Sequence, residues 1–378
     1  MDVLIVEPFF TGSHARWAEG YAAASSHDIS LLTLPGRHWK WRMHGGAVAL
    51  AGMFRNEGYK PDLILATDML DLTTFLSLIG DKGSVTPTAV YFHENQLSYP
   101  WPEEDPDIKE GRDAHYGFIN YSSALAAGTV LFNSSYHLSS FLSHLEPFLA
   151  GFPDYKLTGT VSVIRNKSGV LNLGLDLRGL DRCRDKPEPG SSPLILWNHR
   201  WEYDKNPEEF FRALFILAEE GRDFRVAVLG ESFNNLPPVF DEARERLVGR
   251  LVHFGYVPDR RKYAAWLRRA DILPVTSRHD FFGAGVAEAI YCDCCPVLPD
   301  RLAYPEHIPE SRRKEFLYSG FDGLLTMMRG RIDRIEETRK IITSDFVAHY
   351  DWKRIAPVYD KVLAGAAAGK QPGDDRGI

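Results

Sequence analysis

The chain has 378 residues, 44% of them hydrophobic and 25% charged, with a formal net charge of −7. That length exceeds one ordinary core and suits two domains, and the composition is that of a globular protein rather than a disordered or fibrous one. The mild acidity excludes a global electrostatic footprint for nucleic acid or an anionic membrane, so a polyanionic partner has to be met by a local patch.

The charge is uneven: residues 1–175 carry 12 Lys/Arg against 18 Asp/Glu, a balance of −6, and the remainder carries −1. The first strand is expected from Asp2, which leaves no room for a signal peptide, and no run approaches the ~18 apolar residues of a membrane span. Cys292, Cys294 and Cys295 form a C-x-C-C group and Cys183 stands alone. With no second cluster at zinc spacing, the expectation is buried thiols in a reducing, cytoplasmic compartment and no structural metal.

In chain order, Val3–Val6, Ile29–Leu34, Leu63–Ala66, Ala89–Phe92, Val130–Phe132 and Val161–Ile164 are short runs of Val, Ile and Leu. They are apolar on both faces, as parallel strands between two helix layers must be. Stretches such as Ala47–Glu57 and Ser134–Pro147 are long enough for crossover helices. The pattern then restarts with Leu194–Trp197, Arg225–Leu229, Leu251–Phe254, Ile272–Val275, Pro296–Leu298 and Phe316–Tyr318. Helical stretches Pro207–Glu220, Arg260–Arg269 and Ala284–Tyr291 fall between these. The alternation predicts an α/β protein of two doubly wound domains in series. The expected boundaries are a first domain over 1–180, a Pro- and Gly-containing linker over 181–192, a second domain over 193–350, a final helix over 351–364 and a disordered tail over 365–378.

The second domain carries the sharpest motifs. Asp280-Phe281-Phe282-Gly283-Ala284-Gly285-Val286-Ala287-Glu288 follows a strand and a loop. Glycines there let a backbone approach a ligand closely, and the helix that follows offers N–H groups to an anion. Glu288, more than a turn inside that helix, can accept hydrogen bonds from a ribose diol. Asn198-His199-Arg200-Trp201-Glu202-Tyr203-Asp204-Lys205-Asn206-Pro207 follows the first strand of the domain, where such sheets bind ligands. Arg200 and Lys205 could clamp a diphosphate there, although single surface cations usually have solvated heads. Gly230 closes the next strand, a weaker signal.

In the first domain, a strand runs into Glu7-Pro8-Phe9-Phe10-Thr11-Gly12-Ser13-His14, a glycine turn with Ser13 or Thr11 as helix cap. Phe92-His93-Glu94-Asn95-Gln96 places dense polar groups at another strand end. In Pro35-Gly36-Arg37-His38-Trp39-Lys40-Trp41-Arg42-Met43-His44, cations alternate with tryptophans, which suits base stacking and phosphate contact as well as it suits a half-buried loop.

Together these segments resemble the retaining glycosyltransferases of GT-B fold, family 4. Arg200 and Lys205 match that family's cation pair. Asp280 and Glu288 match its two acids at the E-x7-E interval, with Asp for the first Glu. The resemblance implies two Rossmann-like domains facing a cleft and a C-terminal helix returning to the first domain. It implies donor contacts from Gly12, Ser13, Arg200, Lys205, Gly230, Phe282, Gly283 and Glu288, and catalytic roles for His93 and Asp280. The TGSH turn, the GRHWKWRMHGG stretch, FHENQLSYP and WNHRWEYDKNP narrow the resemblance to the tRNA-queuosine mannosyltransferases. That implies transfer of mannose from GDP-mannose, or another nucleotide sugar, to queuosine in tRNA-Asp, with no metal, no other cofactor and no membrane. Arg37, Trp39, Lys40, Trp41, Arg42, Glu94 and Asn95 are then expected to touch tRNA. Lys205→Ala and Glu288→Ala are expected to abolish transfer and leave the fold intact. The alternatives are a family 4 transferase acting on a lipid or glycan, and a nucleotide-sugar epimerase.

Overall fold

The computed structural model describes residues 1–81, 85–101, 105–109, 114–183, 190–231 and 236–372. The chain divides into two compact units: Met1–Leu175 with the chain from Trp352 onward, and Asp176–Asp351.

The sheet of the first unit contains β1 (Asp2–Phe10), β2 (Asp28–Pro35), β3 (Leu63–Thr67), β4 (Thr88–Phe92), β5 (Thr129–Phe132) and β6 (Ser168–Val170), in the order β2-β1-β3-β4-β5-β6. All neighbours are parallel, in registers such as Ile5↔Leu65 and Val90↔Val130. Strands β3, β4 and β5 are buried along their whole length, which is why their sequences read as unbroken apolar runs. The core joins Leu4, Val6, Val90 and Phe132 to Phe54, Phe75 and Phe141 of the covering helices. Each such buried side chain stabilises the unit by about 1.5–3 kcal/mol.

Two expectations for this unit fail. Val161–Ile164 is not a strand but lies in the helix Thr160–Asn166, with Val161 and Ile164 buried and Val163 half exposed. An i, i+3 pair in four apolar residues is compatible with either period, and the helix wins because Ser168–Val170 supplies the sheet edge instead. The Trp-and-cation stretch is largely helical rather than a loop, because the helix Trp39–Glu57 begins inside it. Buried Met43, Gly46, Ala47, Leu50, Ala51 and Phe54 keep one helical stripe running back to that start.

The second unit repeats the design with β7 (Leu194–Trp197), β8 (Arg225–Val228), β9 (Leu251–Phe254), β10 (Ile272–Pro274), β11 (Cys295–Pro299) and β12 (Leu317–Tyr318), ordered β12-β11-β10-β7-β8-β9 and parallel. Cys292, Cys294 and Cys295 are buried around β11 and are not joined in a disulfide.

The last helix, Trp352–Ala367, packs into the first unit. Trp17 Nε1 donates to Tyr359 Oη at 3.1 Å, and Asp360 accepts from Tyr21, Ser25 and Ser26. Gly20 is required beneath it, since a Cβ there would lie 2.2 Å from Trp352 Nε1. The helix carries on through Gly365–Ala367, past the expected start of the tail; residues 373–378 lie outside the described residues. The expected linker falls partly on a 3-10 turn, Arg178–Cys183, and residues 184–189 also lie outside the described residues.

Candidate active site

In each sheet the strand order reverses beside the first strand, between β1 and β3 and between β7 and β10. The carboxyl ends at such a reversal leave a crevice, because the two flanking loops leave in opposite directions. The motif residues of each unit gather there.

In the second unit, Lys205 ends the 3-10 turn Tyr203–Lys205 and is buried. Its ammonium donates to the His279 carbonyl at 2.9 Å and lies 3.0 Å from Asp204 and 3.5 Å from Asp280. Burial works against this cation, but Asp280 and Asp204 outweigh it and hold its pKa above the ordinary lysine value. Asp280 is the mirror case. Burial alone would raise it, yet Lys205, the neighbouring histidines and the Tyr304 hydroxyl at 3.1 Å keep its carboxyl below the usual range. Burial and then Lys205 push His199 and His279 down to about 4, so both rings are neutral at pH 7. The site therefore holds a fixed ion pair among neutral imidazoles. Asn198 Oδ1 and His199 Nε2 are sealed from solvent and have no hydrogen-bond partner among the described residues. Such atoms are where a polar ligand regains the cost of desolvation.

Glu288 lies in the helix Ala284–Tyr291 with both oxygens engaged, by Arg260 Nη2 at 2.7 Å and Tyr263 Oη at 2.9 Å. Burial first, and then Glu288, keep the Tyr263 phenol protonated and donating. Each carboxylate oxygen retains a lone pair for a further donor. Arg200 is half exposed and pairs with Glu202 at 3.1 Å. Gly283 caps the helix at φ +85°. Two of the expected contacts have structural places of their own. The Phe282 ring is buried against His307 and Tyr350, so its side chain is part of the core. Gly230, at φ +120°, is needed because a Cβ would lie 1.9 Å from the His199 carbonyl oxygen. It locks the loops after β7 and β8 together.

In the first unit, Gly12 opens the helix Gly12–Ala24 at φ +53° with open space around it, and Ser13 is exposed. Neither expected cap operates, since Thr11 is the cap residue and makes no side-chain capping bond. His93 follows β4, its backbone N–H donating to buried Asp68 at 2.7 Å. Burial, then His14 and His137, hold its imidazole well below the ordinary value, and its Nε2 is sealed with no partner among the described residues. Its ring lies 4.3 Å from that of His14. His14 Nδ1 lies 2.8 Å from Glu7, a residue fully buried in β1. Burial opposes a charged His14, but Glu7, Asp68 and Glu94 raise its pKa to about 9. Glu7, His14, Asp68, Arg260 and Tyr263 were not singled out from the sequence as site residues. A usable signal existed for Glu7, a carboxylate inside an apolar strand.

Glu7, His14 and His93 also bring one ligand-type atom each within 4.8 Å of one another. The Glu7 oxygen and His14 Nδ1 are bonded to each other and the ring is protonated at neutral pH, so the three do not present a ready set of free ligands.

The expected tRNA contacts divide. Arg37 and Trp41 are exposed, Trp41 by 64%. Trp39 instead packs with Trp101 and Tyr116 at 5.7 and 5.3 Å between ring centres. Lys40 is neutralised by Asp105 at 2.6 Å and Asp107 at 2.5 Å. Arg42 donates to the Pro35 carbonyl. Glu94 accepts from Gln96 at 3.1 Å. Asn95 is fully buried, its Oδ1 accepting from the Leu97 and Ser98 amides, so it shapes the loop and offers no surface to RNA.

Two parallel doubly wound units with these strand-end sites define a glycosyltransferase of GT-B fold. Residues 2–175 match the family described as tRNA-queuosine alpha-mannosyltransferase N-terminal, and residues 182–319 match glycosyl transferases group 1. The chain is 35% identical over 332 residues to the tRNA-queuosine alpha-mannosyltransferase of Drosophila melanogaster, covering 85% of this chain and 84% of that protein. It is 21% identical over 251 residues to a GDP-mannose:cellobiosyl-diphosphopolyprenol alpha-mannosyltransferase of Xanthomonas oryzae, covering 65% of this chain and 64% of the relative. Sucrose-phosphate synthase from Thermosynechococcus elongatus superposes with a TM-score of 0.72 at 14% identity, over 98% of this chain and 100% of that one, a likeness of fold alone. The chain belongs to the tRNA-queuosine alpha-mannosyltransferase family and is a mannosyltransferase. Among the described residues no helix is long and apolar enough to cross a membrane.

Proposed function

We propose that this protein transfers mannose from GDP-mannose to the queuosine base of tRNA-Asp, in the cytoplasm, with retention at the anomeric carbon and without a metal ion. The observation that carries the donor half is the buried Lys205–Asp280 pair at the strand reversal, a cation held charged where a diphosphate would lie. The acceptor half rests on the family match over residues 2–175 and on the relative from Drosophila melanogaster.

In this reading the bond from the anomeric carbon to the phosphoryl oxygen breaks and negative charge builds on the departing GDP. Lys205, Arg200 and the first turn of the helix Ala284–Tyr291 offset that charge. A hydroxyl of the queuosine cyclopentene diol forms the new bond on the face the phosphate leaves, and its proton passes to the departing phosphoryl oxygen. Asp280 accepts from hydroxyls of the sugar. Glu288, held by Arg260 and Tyr263, accepts from the ribose.

The test is nucleoside mass after incubation of queuosine-containing tRNA with GDP-mannose, GDP-glucose, UDP-glucose and UDP-galactose. The expected product is queuosine plus one hexose with GDP-mannose alone, and no change in tRNA carrying guanosine at the wobble position. Transfer only from a uridine donor, or to guanosine, overturns the proposal.

A further inference from the structure

An acidic chain has to meet a polyanionic acceptor with a local patch, and the first unit supplies one only in part. Residues 1–175 carry a balance of −6, and Lys40 is already neutralised by Asp105 and Asp107. The densest run of cations stands in the second unit. There the helix Arg260–Arg269 reads RRKYAAWLRR, with five cations and no acid in its ten residues.

Two of the five are committed inside the unit. Arg260 donates to Glu288 at 2.7 Å, and Arg268 to Asp181 at 2.7 Å. Ala264 and Leu267 bury the inner side of the helix. Lys262, Trp266 and Arg269 recur at i, i+4 and i+7, so they share the face turned away from those two. Lys262 and Arg269 are exposed, as is Ala265 beside them, and Trp266 is partly so. Among the described residues neither Lys262 nor Arg269 belongs to an ion pair. The Trp266 ring lies 5.1 Å from that of His253, and the Arg269 guanidinium sits 5.2 Å over it, which steadies a long side chain. Asp259, at the head of the helix, accepts from the Arg261 and Lys262 amides at 2.8 and 3.0 Å. Tyr256, 60% exposed, lies in the loop that leads from β9 into the helix. The two free cations stand about 10 Å apart along the axis, a span of a few phosphates on one strand. The apolar residues Ala264 and Leu267 face inward, so this face has charge without an apolar edge to insert into lipid.

We propose that the Lys262–Trp266–Arg269 face of the helix Arg260–Arg269 is an RNA-contact surface that holds backbone phosphates of the acceptor tRNA. RNA as the polyanion rests on the acceptor proposed above. Phosphate contacts position a nucleic acid and carry no sequence information, so this face sets affinity and orientation rather than the choice of nucleoside. Arg260 and Tyr263 of the same helix hold Glu288, so one helix carries both the grip on RNA and the support of the carboxylate assigned to the ribose.

The experiment titrates the full chain with a queuosine-free tRNA transcript at salt concentrations from about 50 to about 200 mM, read by fluorescence anisotropy. The variants are Lys262→Ala, Arg269→Ala, the two together, and Lys340→Ala, which removes an exposed cation elsewhere in the unit. Each of the first two should lower the slope of log K against log salt by about 1, and the pair by about 2. Across that fourfold range of salt, the pair's loss of affinity should be roughly 16 times larger at the low end than at the high end. Lys340→Ala should keep the wild-type slope, and all four variants should keep the wild-type unfolding midpoint and GDP affinity. The proposal falls if the pair keeps the wild-type slope, or if Lys340→Ala lowers it as much as either single substitution does. A loss of GDP affinity as large as the loss for tRNA also overturns it, because the helix as a whole would then have moved. Weakened binding to phosphatidylserine vesicles with tRNA binding intact gives the face to a membrane instead. A protein that moves no mannose to queuosine, yet loses its salt slope for tRNA with these substitutions, refutes the function and leaves the RNA surface standing.

Discussion

Replacing Lys205 by Met should damage the fold as well as the reaction, which revises the expectation that this cation can be removed with the structure intact. Lys205 is buried and lies 3.0 Å from Asp204 and 3.5 Å from Asp280. At an effective dielectric near 20, each such separation corresponds to roughly 5 kcal/mol of attraction, most of which desolvation consumes. Removing one partner leaves the desolvation uncompensated, and costs of about 3–5 kcal/mol are usual. For a unit of this size that lowers the unfolding midpoint by roughly 6–20 °C. The pH dependence also changes sign. In wild type the lowered Asp280 pKa contributes stability present above the ordinary carboxylate range and lost as pH falls through the folded value. In Lys205→Met, burial raises Asp280 instead, so the variant should be more stable near pH 5 than near pH 8. Adding Asp280→Asn should restore part of the loss at pH 7.5 without restoring transfer. The assay is calorimetric unfolding of the three proteins between pH 5 and 8. A Lys205→Met midpoint equal to wild type at pH 7.5, with no gain on acidification, would refute the buried-pair argument.

Glu288→Gln should fold, because Arg260 is a third exposed and Tyr263 can still donate to an amide oxygen, but GDP affinity should drop about tenfold or more; unchanged affinity removes Glu288 from the ribose. Exposed Arg37 and Trp41 should matter to tRNA where Lys40 does not. Arg37→Ala should lower the salt slope of binding by about 1, and Trp41→Ala should cost roughly 1–3 kcal/mol. Lys40→Ala should chiefly release Asp105 and Asp107, and equal effects from all three on the salt slope would contradict this division. Turnover should be unchanged by EDTA, and activity restored only by an added divalent ion would overturn the metal-free reading. His14, whose folded pKa is raised, contributes stability fully present below its ordinary value of 6.5 and lost as pH rises through about 9. The loss should be on the order of 3 kcal/mol by calorimetry and absent in His14→Gln.

The candidate site of the second unit was legible in outline because its parts are contiguous. Asn198–Lys205 and Asp280–Glu288 each follow one strand, and a strand end in a parallel sheet is already a ligand-binding position. The role of each residue was less legible. Phe282 looks like its neighbours in a motif, yet its ring is core, and Gly230 looks like a ligand glycine, yet it serves the His199 carbonyl. The Trp-and-cation stretch read as a uniform patch. Helix formation from Trp39 split it, turning Trp39 and Lys40 toward Trp101, Asp105 and Asp107 while Trp41 stayed outside.

Sequence by itself determined the two-domain parallel α/β architecture, because unbroken apolar runs alternating with amphipathic stretches have few other ways to bury both faces of a strand. It also determined the family, through motifs local enough to survive in one dimension. Tertiary structure alone decided that Val161–Ile164 is helical and that Glu7, His14, Asp68 and His93 meet. Those four come from β1, the helix after it and the ends of β3 and β4. Their encounter depends on strand order, and strand order is set by packing between segments far apart in the chain.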